Sequence, residues 1–206
     1  GPSLSSRLTE QERKALDAAL DRAGVPPESR DEIDGMKPWY VMDLISIAPF
    51  IAAGYSSDAG IDNTLARMAH AQGDTIRGLE KVEDQLRVLS GPSEAEQLRS
   101  LRMYLATPPA VTTGVAWIGG QGFEQWARGN TLPIEMLIST MASTRGAQKT
   151  QVDALLTHRN ENWAGQIEEM LKGSGVSFIA VGAGHLVGPE SVQKRLKLRG
   201  ITAERH

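Results

Sequence analysis

A short apolar run near the carboxyl end of the chain constrains the fold more than any other feature of the sequence. Residues 176–181 read Val-Ser-Phe-Ile-Ala-Val, and glycines stand on both sides of them. This composition is typical of a buried β-strand. Residues 74–80 predict a second strand, because this short segment follows a helix stop and precedes another helix. Residues 201–205 could add an edge strand. The sequence therefore predicts a small sheet late in the chain.

The rest of the chain has the pattern of helices that are closed by glycine or proline. Thr9 with Glu12, and Ser93 with Glu96, form capping boxes at the starts of two helices. Further helices are predicted to begin at Pro38, Asp62, Pro133 and Gln148, the last one running to Lys172 with a bend near Arg159. Because strands and helices alternate late in the chain, we predict an α/β fold that is mainly helical with a small, partly parallel sheet.

The composition excludes several classes of protein. The chain has no cysteine, which rules out disulfide scaffolds, thiolate metal sites and cysteine nucleophiles. Its net charge of −3 and its lack of a basic block argue against a nucleic-acid partner. The longest apolar stretch, residues 41–54, contains Asp43 and Pro49 and is too short to span a bilayer, so we predict no transmembrane segment.

The length of 206 residues is sufficient for one domain with a substantial core. Gly1-Pro2 has the form of a remnant from tag cleavage, and we exclude it from the fold. We expect residues 3–206 to form a single domain. Since residue 3 already leads into a capped helix, we expect the natural protein to begin upstream. The sequence gives no indication of the oligomeric state.

Two chemically useful side chains follow the predicted strands. Glu80 and His185 each stand just past the carboxyl end of a strand, which is where ligands gather in open α/β sheets. If the strands are parallel neighbours, the carboxylate and the imidazole converge on one crevice and could bind a metal or act as acid and base. Gly182 and Gly184 would let the backbone approach a ligand closely. The simpler interpretation is a solvated turn glutamate and an ordinary hydrogen-bonded histidine.

Arg159 is a third candidate, because it recurs with Trp163 and Ile167 at helical spacing and has Asn160 beside it. An arginine on a half-apolar helix could bind a substrate carboxylate or an oxyanion. It could equally extend to solvent or pair with a nearby acid.

The other patterns point to no known chemistry. Gly182-x-Gly184-x-x-x-Gly188 imitates a dinucleotide-binding motif, with Glu204 about 20 residues on, but the glycine spacing is one residue too long. No nucleophile elbow, phosphate loop or His-Glu-x-x-His helix is present. The remaining histidines share no metal-type spacing, and we predict them at the surface: His70, His158 and His206.

Three segments match a known family. The first contains Gly60-x-Asp62 and Glu80-x-x-x-x-Gln85; the second contains Arg159-Asn160 and the helix through Trp163; the third is 178–192, which includes Gly182-x-x-His185. Lys37-Pro38-Trp39 adds weaker support. On these motifs the chain resembles the TraB/GumN family, whose animal relatives are the TIKI proteases that act on Wnt. The resemblance covers nearly the whole chain after residue 3.

The resemblance implies a metal-dependent hydrolase, in a wider clan that includes erythromycin-esterase-like (EreA) enzymes and ChaN-like haem-binding lipoproteins. It also suggests the bacterial periplasm or cell envelope. Members of the family have two Gly-x-x-His motifs, whereas this chain has one, so we expect the other upstream and little or no hydrolysis by these 206 residues alone. A second departure is Gly119-Gly120, where many relatives have Gly-Asp.

By this resemblance, His185 and Glu80 hold or orient a divalent metal together with ligands from the segment expected upstream, and manganese, cobalt and zinc are all suitable. Arg159 stabilises the developing oxyanion of a peptide or small-molecule substrate. The resemblance gives other residues a supporting or substrate-binding role: Asp62, Gln85, Asn160, Gly182 and Gly184. The alternative is a non-catalytic protein that uses the same crevice to bind haem, a peptide or an envelope partner.

Overall fold

The computed structural model of the chain describes residues 2–143 and 147–204, and for 115–118 and 147–148 it describes the backbone. Twelve α-helices lie within this part of the chain. In order they are α1 (Glu10–Arg22), α2 (Arg30–Asp34), α3 (Pro38–Ser46), α4 (Ala48–Ala52), α5 (Ile61–Gln72), α6 (Val82–Ser90), α7 (Glu94–Ala106), α8 (Pro109–Ala127), α9 (Leu132–Ala142), α10 (Ala147–Val152), α11 (His158–Leu171) and α12 (Val192–Leu198).

The chain divides into two compact units. Unit 1 comprises the residues up to 74 together with 89–121, and unit 2 comprises 75–88 together with the residues from 122 onward. Unit 1 thus holds α1 to α5, α7 and most of α8. Unit 2 holds α9 to α12 and most of α6. The expectation of one domain over residues 3–206 stays a prediction.

Unit 1 is built around α1, α3 and α7. The two predicted capping boxes are confirmed: Thr9 and Ser93 each accept a hydrogen bond from the backbone three residues on, and the glutamate there bonds back. The spacing of the apolar residues places one face of each helix inward, and its side chains form a common core: Leu16, Leu20, Val41, Ile45 and Leu101. The helix at 61–72 is capped by Gly60, and not by Asp62 as predicted.

Unit 2 is centred on α11. A π-helical turn at Asp153–Thr157 precedes this helix, in the stretch where the sequence predicts a bend. Trp163, Ala164 and Ile167 lie on its buried face and pack against Val192 and Leu196 of α12. Ion pairs add to this contact, since α12 is followed by an arginine that binds two glutamates of α11: Arg199 with Glu161 and Glu168.

The predicted α/β fold is wrong. The residues that the structure describes contain helices, turns and irregular segments, and none of them lies in a β-strand. The predicted strands at 74–80 and 176–181 are irregular connections, and 201–204 is irregular as well, while Arg205 lies outside the described residues. This part of the protein is a helical fold, with no partly parallel sheet.

The physical reason for this error is visible in the segment 176–181. A strand needs a neighbour that takes up its backbone hydrogen bonds, and in the described part of the chain these six residues bond to no other backbone group. Val176 and Phe178 are 101% and 79% exposed. Only Ile179 and Val181 pack against the α11–α12 core. Strand propensity depends on such a partner, so composition alone was misleading.

The described helices are too short or too polar to span a membrane. In residues 2–143 and 147–204, no helix combines the length and the apolar character that are needed to cross a bilayer. This agrees with the prediction from the sequence.

Candidate functional site

Most of the side chains that the sequence singles out meet around the first turns of α11. Glu80 lies just before α6, His185 lies in a 3₁₀ turn at Ala183–Leu186, and both belong to unit 2, as α11 does. We call this group the His185 cluster, and it consists of Glu80, Gln85, Arg159, Asn160, Trp163 and His185.

The Glu80 carboxylate is bound by Arg159 through two hydrogen bonds. Arg159 Nε donates to Oε2 at 3.0 Å and Nη2 donates to Oε1 at 2.6 Å. Gln85 Nε2 also donates to Oε1, at 2.6 Å. Both carboxylate oxygens of Glu80 are therefore occupied, and the ion pair is largely shielded from solvent. A planar, two-point pair of this kind fixes the orientation as well as the position of the guanidinium.

Arg159 is held from two further sides. Its Nη1 donates to the carbonyl of Leu155 in the π-helical turn, at 3.1 Å. Its guanidinium carbon lies 4.8 Å from the ring centroid of Trp163, in a cation–π contact. Because three contacts constrain one side chain, Arg159 is pre-organised before any ligand arrives.

His185 is buried against the same tryptophan. The two ring centroids are 4.5 Å apart, and 9% of the His185 surface is exposed. The turn is closed by the backbone N–H of His185, which donates to the carbonyl of Gly182 at 2.8 Å. A Cβ on Gly184 would lie 3.2 Å from Ile138 Cδ1, so a side chain there would press on the residue that supports the turn.

Asn160 connects His185 to the start of α12. Asn160 is 1% exposed. Its Oδ1 lies 2.6 Å from Nδ1 of His185, and its Nδ2 donates to the carbonyl of Glu190, also at 2.6 Å. One buried amide thus satisfies the imidazole on one side and a backbone carbonyl on the other.

The pKa values of the two titratable residues move in the same direction for different reasons. Burial first, and then the positive charge of Arg159, lower the pKa of His185 to about 4, although the negative charge of Glu80 opposes the shift. For Glu80, burial acts to raise the pKa, but the hydrogen bonds from Arg159 and Gln85 outweigh it and lower the pKa below 4.5. At neutral pH the cluster holds a neutral imidazole beside an ionised carboxylate.

The remaining predicted residues lie at different places. Gly182 and Gly184 are in the turn that presents His185. Asp62 is exposed on the first turn of α5, in unit 1. His70 and His158 are exposed, as predicted, and His206 lies outside the described residues.

Two hydrogen-bond partners of the cluster, the Gln166 side chain and the Glu190 carbonyl, have no signal in the sequence. Gln166 Nε2 donates to the carbonyl of Leu79 at 2.7 Å and so fixes the backbone next to Glu80. The Glu190 carbonyl orients Asn160. Trp163 Nε1 is buried with no hydrogen-bond partner among the described residues. The spacing of Trp163 from Arg159 predicted a shared helix face, but no pattern predicted the backbone acceptors.

The fit to a metal ion is partial. Within 2–143 and 147–204, no three histidine, cysteine, aspartate or glutamate side chains are grouped so that they could hold a metal. His185 has a suitable donor, because its Nδ1 faces Asn160 and its Nε2 is left for a ligand. Glu80 accepts one hydrogen bond at Oε2 and two at Oε1, so its carboxylate, with about four lone-pair sites, has little capacity left for a cation while Arg159 and Gln85 are bound.

The fold and the cluster define a helical protein with a buried histidine that is backed by an amide and lies beside an anchored arginine. The sequence matches the TraB/PrgY/gumN family over residues 1–205, so the chain belongs to that family, as its motifs predicted. It is also similar to an uncharacterized protein of Treponema pallidum (strain Nichols), with 22% identity over 205 residues. This match covers 97% of the chain and 59% of that relative. No solved structure matches the chain significantly.

Proposed function

We propose that this chain supplies His185 and Arg159 to the active site of a divalent-metal-dependent hydrolase that cleaves a peptide or a small carbonyl substrate. The observation that carries the proposal is the buried, neutral imidazole of His185, bonded through Nδ1 to Asn160 at 2.6 Å. Histidines that bind metals have this arrangement, in which one ring nitrogen is hydrogen-bonded to the protein and the other carries a basic lone pair.

In this proposal His185 Nε2 holds the cation. Imidazole is a suitable ligand for zinc, cobalt and manganese, and the chain has no thiolate that would favour one of them. When bound, a divalent cation acts as a Lewis acid that lowers the pKa of water and polarises a carbonyl. The low pKa of His185 keeps the ring neutral, and therefore able to bind, at any pH above about 5.

Arg159 has the second role, which is to stabilise negative charge on the substrate oxygen. A guanidinium has five N–H bonds, and three of those of Arg159 are used by Glu80 and Leu155. The other two have no partner among the described residues. Since Glu80 fixes the guanidinium, these N–H bonds need no reorientation when charge develops. The role of Glu80 as a metal ligand stays a prediction, and the hydrogen bonds that its oxygens accept from Arg159 and Gln85 do not favour it.

The test uses purified protein, both as this 206-residue chain and in its natural full length. Bound metal is measured by mass spectrometry, and cleavage of a peptide library is measured with and without a chelator. We expect bound metal and chelator-sensitive cleavage in the full-length protein, with both lost in His185→Gln. The matched control is His158→Gln, which changes an exposed histidine at the start of the same helix.

A metal-free, inactive full-length protein in which His185→Gln behaves like the wild type would overturn the proposal. A haem absorbance band that appears on titration and depends on His185 would also count against it. That band would instead support the alternative, a protein that binds haem without catalysis.

A further inference from the structure

We infer that Asn160 is the positioning residue that fixes His185 in the tautomer with the proton on Nδ1, leaving Nε2 as the basic nitrogen. The meaning of this tautomer for catalysis rests on the proposed function. The tautomer itself does not, because it follows from three contacts in the structure.

The first step is the orientation of the Asn160 amide. Its two polar atoms face two different groups, His185 Nδ1 on one side and the Glu190 carbonyl oxygen on the other. A carbonyl oxygen only accepts hydrogen bonds, so the amide nitrogen must face Glu190. In the opposite orientation, two oxygens would lie 2.6 Å apart with no proton between them. Asn160 Oδ1 therefore faces His185.

The second step is the position of the ring proton. Because Asn160 Oδ1 is an acceptor, the nitrogen 2.6 Å away must donate. In a neutral imidazole one nitrogen carries the proton and the other carries the lone pair. The proton of His185 is thus on Nδ1, and the lone pair is on Nε2.

The third step is that the surroundings restrain both side chains. Asn160 is 1% exposed, so bulk water does not reach the amide. The Trp163 ring packs against the imidazole at 4.5 Å and limits its rotation. An amide between a helix and a fixed carbonyl cannot exchange its two ends without breaking both hydrogen bonds, so the tautomer is set by the fold.

The two hydrogen bonds of Asn160 can be separated by substitution. Asn160→Asp retains an acceptor for His185 but loses the donor to Glu190, whereas Asn160→Leu loses both. If Asn160 had only a structural role, both variants would lose stability and both would retain the wild-type tautomer of His185. If Asn160 is a positioning residue, both variants lose stability and only the leucine variant changes the tautomer.

The experiment is nitrogen-15 NMR of the histidine rings in metal-free protein, at a pH where the rings are neutral. We expect the His185 signals of the wild type and of Asn160→Asp to show a protonated Nδ1 and an unprotonated Nε2. In Asn160→Leu we expect loss of that pattern. Asn162→Leu is the matched control, because Asn162 is exposed on the same helix, and it should retain the wild-type pattern.

A protonated Nε2 in the wild type would overturn the inference, even if Asn160→Leu failed to fold. Retention of the Nδ1–H pattern in a folded Asn160→Leu variant would overturn it as well. A second measurement uses zinc alone as the probe in the full-length protein: we expect Asn160→Leu to weaken zinc binding roughly 10- to 100-fold. If the protein has the expected tautomer but binds no zinc, the result supports this inference and contradicts the proposed function. Failure of the inference and failure of the proposed function can therefore be distinguished.

Discussion

Arg159 binds the Glu80 carboxylate edge-on, with Nε 3.0 Å from Oε2 and Nη2 2.6 Å from Oε1, although the two residues are 79 positions apart in the sequence. This pair connects the start of α6 to the start of α11 within unit 2. The pair also joins two residues that were predicted to have separate roles, Glu80 as a metal ligand and Arg159 as an oxyanion binder.

Loss of this pair should reduce stability measurably. For Glu80→Gln we expect the free energy of unfolding to fall by about 1–3 kcal/mol, because a largely shielded guanidinium loses its charged partner. Glu169→Gln is the control, since its ion pair with Lys172 is mostly exposed, and it should cost less than about 0.5 kcal/mol. Urea unfolding measures both values. Equal losses in the two variants would contradict the prediction.

His185 should make stability depend on pH. Its pKa is about 4 in the folded chain and 6.5 in the unfolded chain, so below pH 6.5 the unfolded state binds the extra proton. The stabilising contribution is complete above pH 6.5, falls as the pH drops toward 4, and amounts to about 3 kcal/mol at most. Unfolding of the wild type and of His185→Gln should therefore converge as the pH falls through this window. Parallel curves would show that His185 titrates normally.

Trp163 contributes through its ring and not through its N–H group. Its buried Nε1 has no hydrogen-bond partner among the described residues, so Trp163→Phe removes an unsatisfied donor together with part of the ring. We expect Trp163→Phe to change the free energy of unfolding by less than about 1.5 kcal/mol. Trp163→Ala should cost about 3–5 kcal/mol, because it opens a cavity next to His185. A phenylalanine variant as unstable as the alanine variant would point to a buried acceptor for Nε1.

Both the backbone conformation of Gly188 and its contact with Ile138 disfavour a side chain at this position. Its φ of +79° is in the left-handed region, and a Cβ there would lie 3.3 Å from Ile138 Cγ2. The control is Gly200→Ala, because Gly200 has the same φ and open space around it. We expect Gly200→Ala to cost about 1–2 kcal/mol for the backbone alone, and Gly188→Ala to cost more. Thermal unfolding of both variants tests this, and a smaller cost at Gly188 would mean that Ile138 moves aside freely.

The irregular segment 176–181 can be tested by a pair of substitutions. Phe178 is 79% exposed, so Phe178→Ser should change the free energy of unfolding by less than about 0.5 kcal/mol. Val181 packs against the α11–α12 core, and Val181→Ala should cost about 1–2 kcal/mol. A loss of several kcal/mol in Phe178→Ser would mean that this side chain is buried, as the predicted strand required.

The local parts of the fold were predictable and the non-local parts were not. The capping boxes at Thr9 and Ser93 are set by four consecutive residues, so the sequence contains all the information that they need. A strand at 176–181 also needs a partner elsewhere in the chain, which composition cannot supply. The residues that form the cluster were recognised by their chemistry. Their contacts were not, because the Glu190 carbonyl that orients Asn160 is a backbone group that any residue could provide.

Arg159 shows the same limit. Two interpretations of this arginine followed from the sequence, a binder of substrate anions and a partner of a nearby acid. The structure pairs it with Glu80 and leaves two of its N–H bonds without a partner in the described residues, so the second interpretation holds without removing the first. Spacing along one helix could not decide between them, because Glu80 comes from a distant part of the chain.

Three side chains of α11 bind the segments around the cluster: Arg159 binds Glu80, Asn160 binds His185 and the Glu190 carbonyl, and Gln166 binds the Leu79 carbonyl. These attachments lie within eight residues of one rigid element. Local unfolding of this helix would therefore release all of them at the same time. The protection of the helix amide protons against hydrogen exchange and the order of the cluster should be lost in a single opening event. The cluster therefore forms and is lost as a unit, and its stability equals the stability of these two turns of α11 against local unfolding.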